Sequence, residues 1–260
     1  MTATRIAHLP GLMPLAVLAI TLLLWQSGAL MLRADFLPTV GLTWDALTTL
    51  GGESDTARMV YNSLRTMFAG FGLAFLVTVP LGLAMGRCDW LREMIQPTLT
   101  LFYPMPKAAL MPIFMLWFGL GDTSKIVVIY LGASLPLLYH SYQGAASVDE
   151  KLLWQASAFG MSPLRRLFKV VLPMSLPDVF LGCRVAMSMA LIVMVSSEMI
   201  VRQDGIGGLM FNALDLAQYD YVYAAIVIVA LIGALLDIAL EALRRRVVFW
   251  VPGDVLEGGR

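Results

Sequence analysis

Six long apolar stretches constrain the fold of this chain more than any other feature of its sequence. Most approach the roughly 20 residues that an α-helix needs to cross the hydrocarbon core of a bilayer. They are Leu12–Met31, Ser63–Met85, Pro97–Phe118, Ile126–His140, Val179–Ile200 and Val222–Leu240. The composition agrees, because 59% of the 260 residues are hydrophobic and only 14% are charged. We therefore predict an all-α polytopic membrane protein with about six transmembrane helices.

The first and fourth stretches leave alternatives open. The fourth is the shortest and has room to extend by a turn at its C-terminal end. The first has the position of a secretory signal peptide, but its apolar run is longer than about 15 residues and Ser27–Ala29 is a weak cleavage sequence. No stretch repeats another, so residues 1–260 are predicted to form one transmembrane domain.

Charge is balanced overall but unevenly distributed along the chain. The 18 basic and 18 acidic residues cancel, so the chain has no basic field for nucleic acid. If the N-terminus is cytoplasmic, Lys and Arg concentrate on the cytoplasmic side. That side carries Arg5, Arg87, Arg92, Lys151, Arg165, Arg166, Lys169, Arg244, Arg245, Arg246 and Arg260, whereas the other carries Arg33, Arg58, Arg65, Lys125 and Arg202. We therefore predict a multi-pass protein of the inner (plasma) membrane with both termini in the cytoplasm.

This topology assigns two further segments to the outer side. Leu42–Leu50 is predicted to be a short interfacial helix that Trp44 anchors at the membrane surface. Val201–Asp220 has glycines at positions 205, 207 and 208 and is predicted to be a polar loop.

The longest cytoplasmic connection, Ser141–Asp178, is predicted to contain two short helices. Ser147 and Glu150 have the spacing of a capping box, which predicts a helix over Lys151–Phe159. Gly160 then supplies the left-handed residue that commonly ends a helix.

The second helix of this connection is predicted from its N-cap. Ser162 suits the N-cap and Pro163 the first helical position. The helix is expected to run through Val171 and to end at Leu172-Pro173, because proline disrupts a helix interior. A helix, a tight glycine turn and a second helix form the predicted cytoplasmic hairpin.

The hairpin sequence has a recognisable spacing. The run Trp154–Gly160 (WQASAFG) is followed, after nine residues, by Val170–Pro173 (VVLP). This pattern resembles the EAA loop of ABC importer permeases, which reads Glu-Ala-Ala, three residues, Gly, nine residues, Ile, any residue, Leu-Pro. Trp154 stands where that family usually has Glu and Gln155 where it has the first Ala, whereas Ala156 keeps the second. An aromatic residue at 154 remains suited to packing in a hydrophobic groove.

Shorter motifs extend the resemblance to the permeases of the nitrate, taurine and aliphatic-sulfonate importer group. They are Asn62–Arg65 (NSLR), Gly82 with Gly86-Arg87, Pro112 with Trp117–Gly121 (WFGLG), Ser124–Ile126 (SKI), Glu198-Met199 and Gly205–Gly207 (GIG). The resemblance implies the type I ABC importer permease fold, with residues 60–250 as the core permease region and 141–178 as the coupling loop.

The function that the resemblance implies is that of a permease subunit of an ATP-driven importer. The cargo would be a small polar or anionic nutrient such as a sulfonate, taurine or nitrate. The implied partners are a second permease subunit, expected to be a copy of this chain, two cytoplasmic ABC ATPase subunits, a periplasmic or lipid-anchored solute-binding protein and the lipid bilayer. The residues that the resemblance assigns to ATPase coupling are Trp154, Gln155, Ala156, Gly160, Pro163, Arg165, Leu172 and Pro173.

The absence of several sequence motifs argues against other classes of function for this chain. The chain has no phosphate-binding loop, so ATP and Mg²⁺ are expected on the ATPase and no cofactor on this non-catalytic transport subunit. A membrane-embedded enzyme is disfavoured, because no HExxH, GxSxG or paired intramembrane carboxylates occur. An ion-coupled secondary carrier or a channel would not explain the cytoplasmic hairpin. Cys88 and Cys183 form no CxxC pair, and no metal site is predicted.

Polar residues within the apolar stretches are candidates for the substrate pathway. Pro104 and Pro106 are incompatible with regular helix, and broken backbone at membrane depth is tolerated in protein or along a water-filled cavity. Lys107 is expected either to attract an anion in that cavity or to snorkel to the inner surface. Glu198 is expected either at the outer gate or in a structural buried pair. The predicted pathway residues are Met105, Lys107, Tyr139, Ser197 and Glu198.

Overall fold

The computed structural model describes residues 12–250, and within that range the all-α prediction is confirmed. The helices are α1 (Leu12–Leu32), α2 (Val40–Gly52), α3 (Ser54–Met85), α4 (Asp89–Phe102), α5 (Met111–Phe118), α6 (Asp122–Ala146), α7 (Glu150–Ala158), α8 (Pro163–Arg166), α9 (Leu172–Val201), α10 (Ile206–Asp215) and α11 (Tyr219–Val247). A 3₁₀ turn, Lys107–Leu110, precedes α5, and a π turn, Leu167–Val171, precedes α9. Arg5 and Arg260, which contributed to the predicted topology, lie outside the described residues.

Four continuous helical segments in this range are long and apolar enough to cross a bilayer. They are Met13–Leu32, Ser54–Met85, Pro163–Val201 and Tyr219–Val247, which contain most or all of the first, second, fifth and sixth predicted spans. Most of these helices extend beyond the ends of the predicted spans. Hydropathy marks only the apolar part of a helix, whereas its backbone hydrogen bonds continue into the polar residues on either side.

The third predicted span, Pro97–Phe118, is not one continuous helix. Its two halves belong to α4 and to the segment Lys107–Phe118, which are bent by 86° relative to each other. Pro104 and Pro106 lie at the bend, where their rings and missing N–H groups oppose a regular helix. The predicted break is confirmed, and the prediction of one continuous helix over this stretch is wrong.

The fourth predicted span is the middle of a longer helix. Helix α6 has 25 residues and a length of about 38 Å at the usual rise per residue. It is absent from the helices that qualify as apolar enough to span a membrane. It packs between α3 and α9, which shield it on both sides, so buried Ser124, Lys125 and Ser141 face protein.

Helices α3, α6 and α9 form the central bundle. Their backbones approach closely, since a Cβ atom at Gly82 would lie 2.7 Å from the Leu138 carbonyl oxygen and one at Gly182 would lie 2.8 Å from His140 Cβ. The bundle has a hairpin end, where α7 and α8 lie, and a far end, where α2 and α10 lie. Small residues thus set the spacing of the helices that connect the two ends.

The short helix predicted over Leu42–Leu50 is confirmed as part of α2, at the far end, and its interfacial position stays a prediction. Thr39 caps it by accepting a hydrogen bond from the Leu42 backbone N–H at 3.3 Å. Its inner face packs on α11, with Leu50 and Ala224 in one buried cluster, whereas Trp44 is exposed. Helix α2 therefore attaches to the bundle by its inner face and leaves its aromatic residue outside.

Candidate functional site

The first helix of the hairpin begins differently from the prediction. Asp149 is the N-cap of α7, and its carboxylate accepts a hydrogen bond from the Lys151 backbone N–H at 2.9 Å. Ser147 instead lies at the C-cap of α6, where its hydroxyl donates to the Gly144 carbonyl at 2.9 Å. The predicted Ser147 and Glu150 capping box is wrong, because α6 continues as far as Ala146.

The predicted glycine turn is confirmed by the backbone. Gly160 has a φ of +76°, in the left-handed region that favours glycine. Its N–H donates to the Ser157 carbonyl at 2.9 Å, and the N–H of Met161 donates to the Ala156 carbonyl at 3.1 Å. These bonds satisfy carbonyl groups at the end of α7 and turn the chain sharply toward α8.

The second hairpin helix begins as predicted but does not end as predicted. The hydroxyl of Ser162 accepts a hydrogen bond from the Arg165 backbone N–H at 3.4 Å, and Pro163 is the first residue of α8. The N–H of Leu172 then donates to the Leu167 carbonyl, five residues back. This wider turn accommodates the ring of Pro173 without ending the helix, so the chain continues into α9. The predicted termination at Leu172-Pro173 is wrong.

The hairpin presents an apolar face that the rest of the described chain, residues 12–250, leaves uncovered. We define the hairpin face as the exposed side chains of Trp154, Phe159, Leu164 and Phe168. Trp154 and Phe159 are 68% and 84% exposed. Soluble regions rarely leave a cluster of large apolar side chains uncovered without a partner. The hairpin face therefore has the character of a docking surface.

The predicted coupling residues fall into two groups. Trp154, Gln155, Gly160, Pro163 and Arg165 are exposed on the hairpin, whereas Ala156, Leu172 and Pro173 are buried or half-buried beneath it. An ion pair between Arg87 and Glu150, with a 2.6 Å contact, fastens α7 to the connection after α3. The structure thus brings the whole predicted set to one end of the bundle and divides it into a contact layer and a supporting layer.

At the far end, a buried carboxylate joins three helices. Glu198 of α9 accepts a hydrogen bond from the Ser63 hydroxyl of α3 at 2.8 Å and from the Gly207 backbone N–H of α10 at 3.0 Å. The Ser63 hydroxyl in turn accepts from the Ile206 N–H at 3.0 Å. Ser197, its neighbour in α9, is fully buried. We call Glu198, Ser63 and the two α10 N–H groups the far-end clamp.

The segment after α9 is not the polar loop that its glycines predict. Residues Ile206–Asp215 form α10, and its N-terminal turn is buried. A Cβ atom at Gly207 would lie 2.5 Å from the Val195 carbonyl oxygen, so glycine lets the α10 backbone contact α9. Glycine here permits close packing of a helix, which the sequence alone does not distinguish from a flexible turn.

Several charged residues lie together at the far end of the bundle. Asp122 at the start of α6 pairs with Arg65 of α3 and, at 3.0 Å, with the buried Lys125. These side chains line a polar cavity of about 360 Å³. The cavity is completed by Asn62, Gln203 and Asp204.

The other predicted pathway residues occupy separate places. The ammonium of Lys107 donates to the Phe102 and Tyr103 carbonyls, both at 2.8 Å, and so caps the end of α4 at the proline break. Met105 is exposed in the break. Tyr139 is exposed on α6, and its hydroxyl accepts a hydrogen bond from Gln143 at 3.0 Å. The fold does not gather these residues and the far-end clamp into one site.

One ion pair between two long apolar helices was not predicted from sequence. Arg184 of α9 binds Asp237 of α11 through two hydrogen bonds of 2.5 and 2.7 Å. An acidic residue inside an otherwise apolar stretch was the available signal at Asp237. Within residues 12–250, no group of three or more His, Cys, Asp and Glu residues is placed to hold a metal ion.

Comparison with known proteins agrees with this architecture. Residues 78–249 match the family described as binding-protein-dependent transport system inner membrane component. The chain belongs to this family. Its fold is that of type I ABC permeases, and it is a permease subunit of an ABC importer and a multi-pass membrane protein. Permeases of this family work with a solute-binding protein and with ATPase subunits.

Individual relatives cover most of the chain. The taurine transport system permease protein TauC of Escherichia coli (strain K12) is 30% identical over 91% of this chain and 88% of its own length. A Bacillus subtilis (strain 168) protein named as an aliphatic sulfonates transport permease, SsuC, is 31% identical over 92% of this chain and 86% of its own length. Each of these two relatives therefore matches about nine tenths of this permease.

Proposed function

We propose that this permease imports a small sulfonate and is driven by an ATPase that docks on the hairpin face. The observation that carries the ATPase part is the uncovered apolar cluster around Trp154 and Phe159. The substrate part is supported by relatives named for taurine and for aliphatic sulfonates. A dimer of this chain with two ATPase subunits and one binding protein is the proposed assembly.

Burial of the hairpin face on a partner would supply most of the docking energy. Large aromatic side chains carry a disproportionate share of binding energy when a groove covers them, often about 2 kcal/mol or more each. Arg87 and Glu150 would hold α7 in place while that contact forms. Residues Ala156, Leu172 and Pro173 would act indirectly, by supporting the exposed layer from within.

The proposed orientation places the hairpin end in the cytoplasm. Basic residues are concentrated there, with Arg87, Arg92, Arg165 and Arg166 around the hairpin and Arg244–Arg246 at the end of α11. Positive residues accumulate on the cytoplasmic side of membrane proteins. The far end, with the charged cavity, would then face the binding protein, and both chain termini would be cytoplasmic.

The energy source in this proposal lies outside the chain. ATP and Mg²⁺ would bind the ATPase subunits, and this subunit would be non-catalytic, since its sequence contains no phosphate-binding loop. The purified chain is therefore expected to hydrolyse no ATP until an ATPase subunit is added. Hydrolysis by the chain alone, after removal of contaminating ATPases, would contradict this part of the proposal.

Three residues remain proposed for the substrate pathway at the membrane interior. Met105 and Lys107 lie at the proline break, and Tyr139 is exposed on α6. For Ser197 and Glu198 we favour the structural alternative, since both are buried and Glu198 is committed to the far-end clamp. They would support the outer gate without lining it.

Replacing the hairpin aromatics tests the proposal. Trp154→Ala and Phe159→Ala should each weaken ATPase co-purification and sulfonate uptake by at least about tenfold, while membrane insertion is retained. Trp44→Ala is the matched control, since Trp44 is similarly exposed on α2 at the far end. Co-purification and uptake of a labelled sulfonate are measured for each variant. Full ATPase binding by both hairpin variants would refute docking at this face.

A further inference from the structure

The charged cavity at the far end has two walls of opposite charge, one positive and one negative. It lies between the first turns of α6, a neighbouring turn of α3 and the connection from α9 to α10. All of its lining side chains are polar or charged, namely Asn62, Arg65, Asp122, Lys125, Gln203 and Asp204. Its volume of about 360 Å³ lies near the lower limit of ligand pockets, roughly 300 Å³, and suits a small molecule.

One wall carries a net positive charge. Asp122 pairs with both Arg65 and Lys125, so two cations share one carboxylate. The Lys125 residue is only 3% exposed, and a buried ammonium requires such a partner. Arg65 lines the cavity with an exposed side chain and has donors beyond those that Asp122 occupies. An anionic group in the cavity therefore finds a positive wall built from α3 and α6.

The opposite wall carries a carboxylate that is not neutralised. Asp204 is exposed and forms no hydrogen bond or ion pair within the part of the chain that the structure describes. Its position is nevertheless fixed. Arg202 has a left-handed φ of 54° and lies 3.9 Å over the Phe211 ring, and Gly205 lies against the carboxylate of Glu198. Asp204 is thus held at the cavity by anchored residues on both sides.

We propose that this cavity binds a small zwitterion, an ammonium compound with a sulfonate or carboxylate group. The anionic group pairs with Arg65, the ammonium pairs with Asp204, and the amides of Asn62 and Gln203 bond the remaining polar atoms. This inference rests on the proposed function, and it narrows the cargo to the zwitterionic members of the sulfonate class. The site would receive the cargo at the far end before it enters the bundle.

The two walls predict selectivity between related sulfonates. A simple alkanesulfonate satisfies Arg65 but leaves the carboxylate of Asp204 without a cation and repelled by the added negative charge. An aminoalkanesulfonate satisfies both walls. Exposed ion pairs are worth little, so the preference for the zwitterion should be about two- to fivefold.

Binding to the purified full-length chain in lipid nanodiscs tests the site. The probes are 2-aminoethanesulfonate and ethanesulfonate, and saturation-transfer NMR detects weak binding of either. We expect 2-aminoethanesulfonate to bind about two- to fivefold more tightly. Asp204→Asn should abolish that preference, and Arg65→Gln should weaken both probes. The controls are Asp45→Asn on α2 and Arg58→Gln on α3, which replace exposed charges outside the cavity.

Three outcomes would overturn the site. They are no binding of 2-aminoethanesulfonate, equal binding of both probes, and an unchanged preference in Asp204→Asn. Loss of binding-protein capture in Asp204→Asn with unchanged probe binding would identify a protein docking contact instead, and would equally reject the proposal. Asp204 has no partner in the described chain, so its replacement should leave folding intact even if Arg65→Gln disturbs it.

A separate assay distinguishes this site from the proposed function. Uptake by the complete assembly of permease, ATPase and binding protein reports sulfonate import directly. Sulfonate uptake without binding to the isolated chain rejects only the cavity site. The predicted binding pattern without ATP-driven sulfonate uptake rejects only the importer function.

Discussion

The carboxylate of Glu198 accepts a hydrogen bond from the hydroxyl of Ser63 at 2.8 Å, across 135 residues of sequence. Both residues are only 1% exposed. Through this contact, α9 and α3 together hold the first two N–H groups of α10. A buried carboxylate at a helix N-terminus also interacts favourably with the helix dipole. The pair therefore determines where α10, and the Asp204 connection before it, lie at the far end.

Removing the Ser63 hydroxyl should destabilise the far end. Ser63→Ala leaves the Ile206 N–H without its acceptor and Glu198 with one donor fewer, at an expected cost of about 1–3 kcal/mol. Thermal unfolding in detergent micelles measures the loss. Ser196→Ala is the control, because that exposed hydroxyl donates only to the Ile192 carbonyl within its own helix. Equal stability of both variants would show that the clamp contributes nothing.

Gly160→Val should separate membrane insertion from ATPase coupling. Apart from its chain neighbours, no atom of the described residues lies within 4 Å of a Cβ built at Gly160, so the obstacle is its φ of +76°, which costs a β-branched residue about 1–2 kcal/mol. The strain should tilt α7 and misalign the hairpin face. We expect normal insertion with weakened ATPase co-purification and loss of uptake.

Two matched variants isolate the backbone effect at Gly160. Gly160→Asn should be milder than Val, since asparagine tolerates the left-handed region. Gly72→Val adds the same side chain in the helical backbone of α3, where no described residue outside the neighbouring helix backbone has an atom within 4 Å, and it should leave coupling intact. Full ATPase association and uptake by Gly160→Val would reject a mechanical role for the turn.

A charge-swap experiment tests the role of the ion pair between Arg87 and Glu150, because exchanging the two residues should restore the pair. Arg87→Glu and Glu150→Arg each place like charges together, whereas the double variant restores an opposite pair. The free energy of unfolding should change by less than about 1 kcal/mol in each variant, because the ion pair is partly exposed to solvent. ATPase-coupled uptake should fall in each single variant and recover in the double variant. Additive losses in the double variant would argue against an anchoring role for the pair.

The proposed orientation of the chain predicts which residues a membrane-impermeant thiol reagent reaches. In a variant lacking Cys88 and Cys183, a cysteine at Gly160 or Arg245 should be labelled only after the membrane is opened. A cysteine at Asp215 should be labelled in intact cells from which the outer membrane barrier has been removed. Labelling of position 160 from outside would overturn the topology.

Features that depend on local chemistry could be predicted from the amino-acid sequence. The long apolar stretches predicted most of the membrane helices, since about 20 apolar residues suffice to fill a bilayer core. Pro104 and Pro106 predicted the break between α4 and α5, because proline lacks a backbone donor wherever it stands. Gly160 predicted the turn of the hairpin, because the left-handed conformation has an intrinsic preference for glycine.

Other features depend on how the helices pack and could not be predicted from local sequence. Ser147 became the end of α6 because that helix extends along its neighbours, and Gly207 became a contact between α10 and α9. Glu198 was predicted with both a gating and a structural alternative, and only the approach of α3 and α10 supplied its hydrogen-bond donors. Such contacts join residues that are far apart in the sequence. Local sequence predicts where each helix forms, but only the packing of the helices brings these residues together.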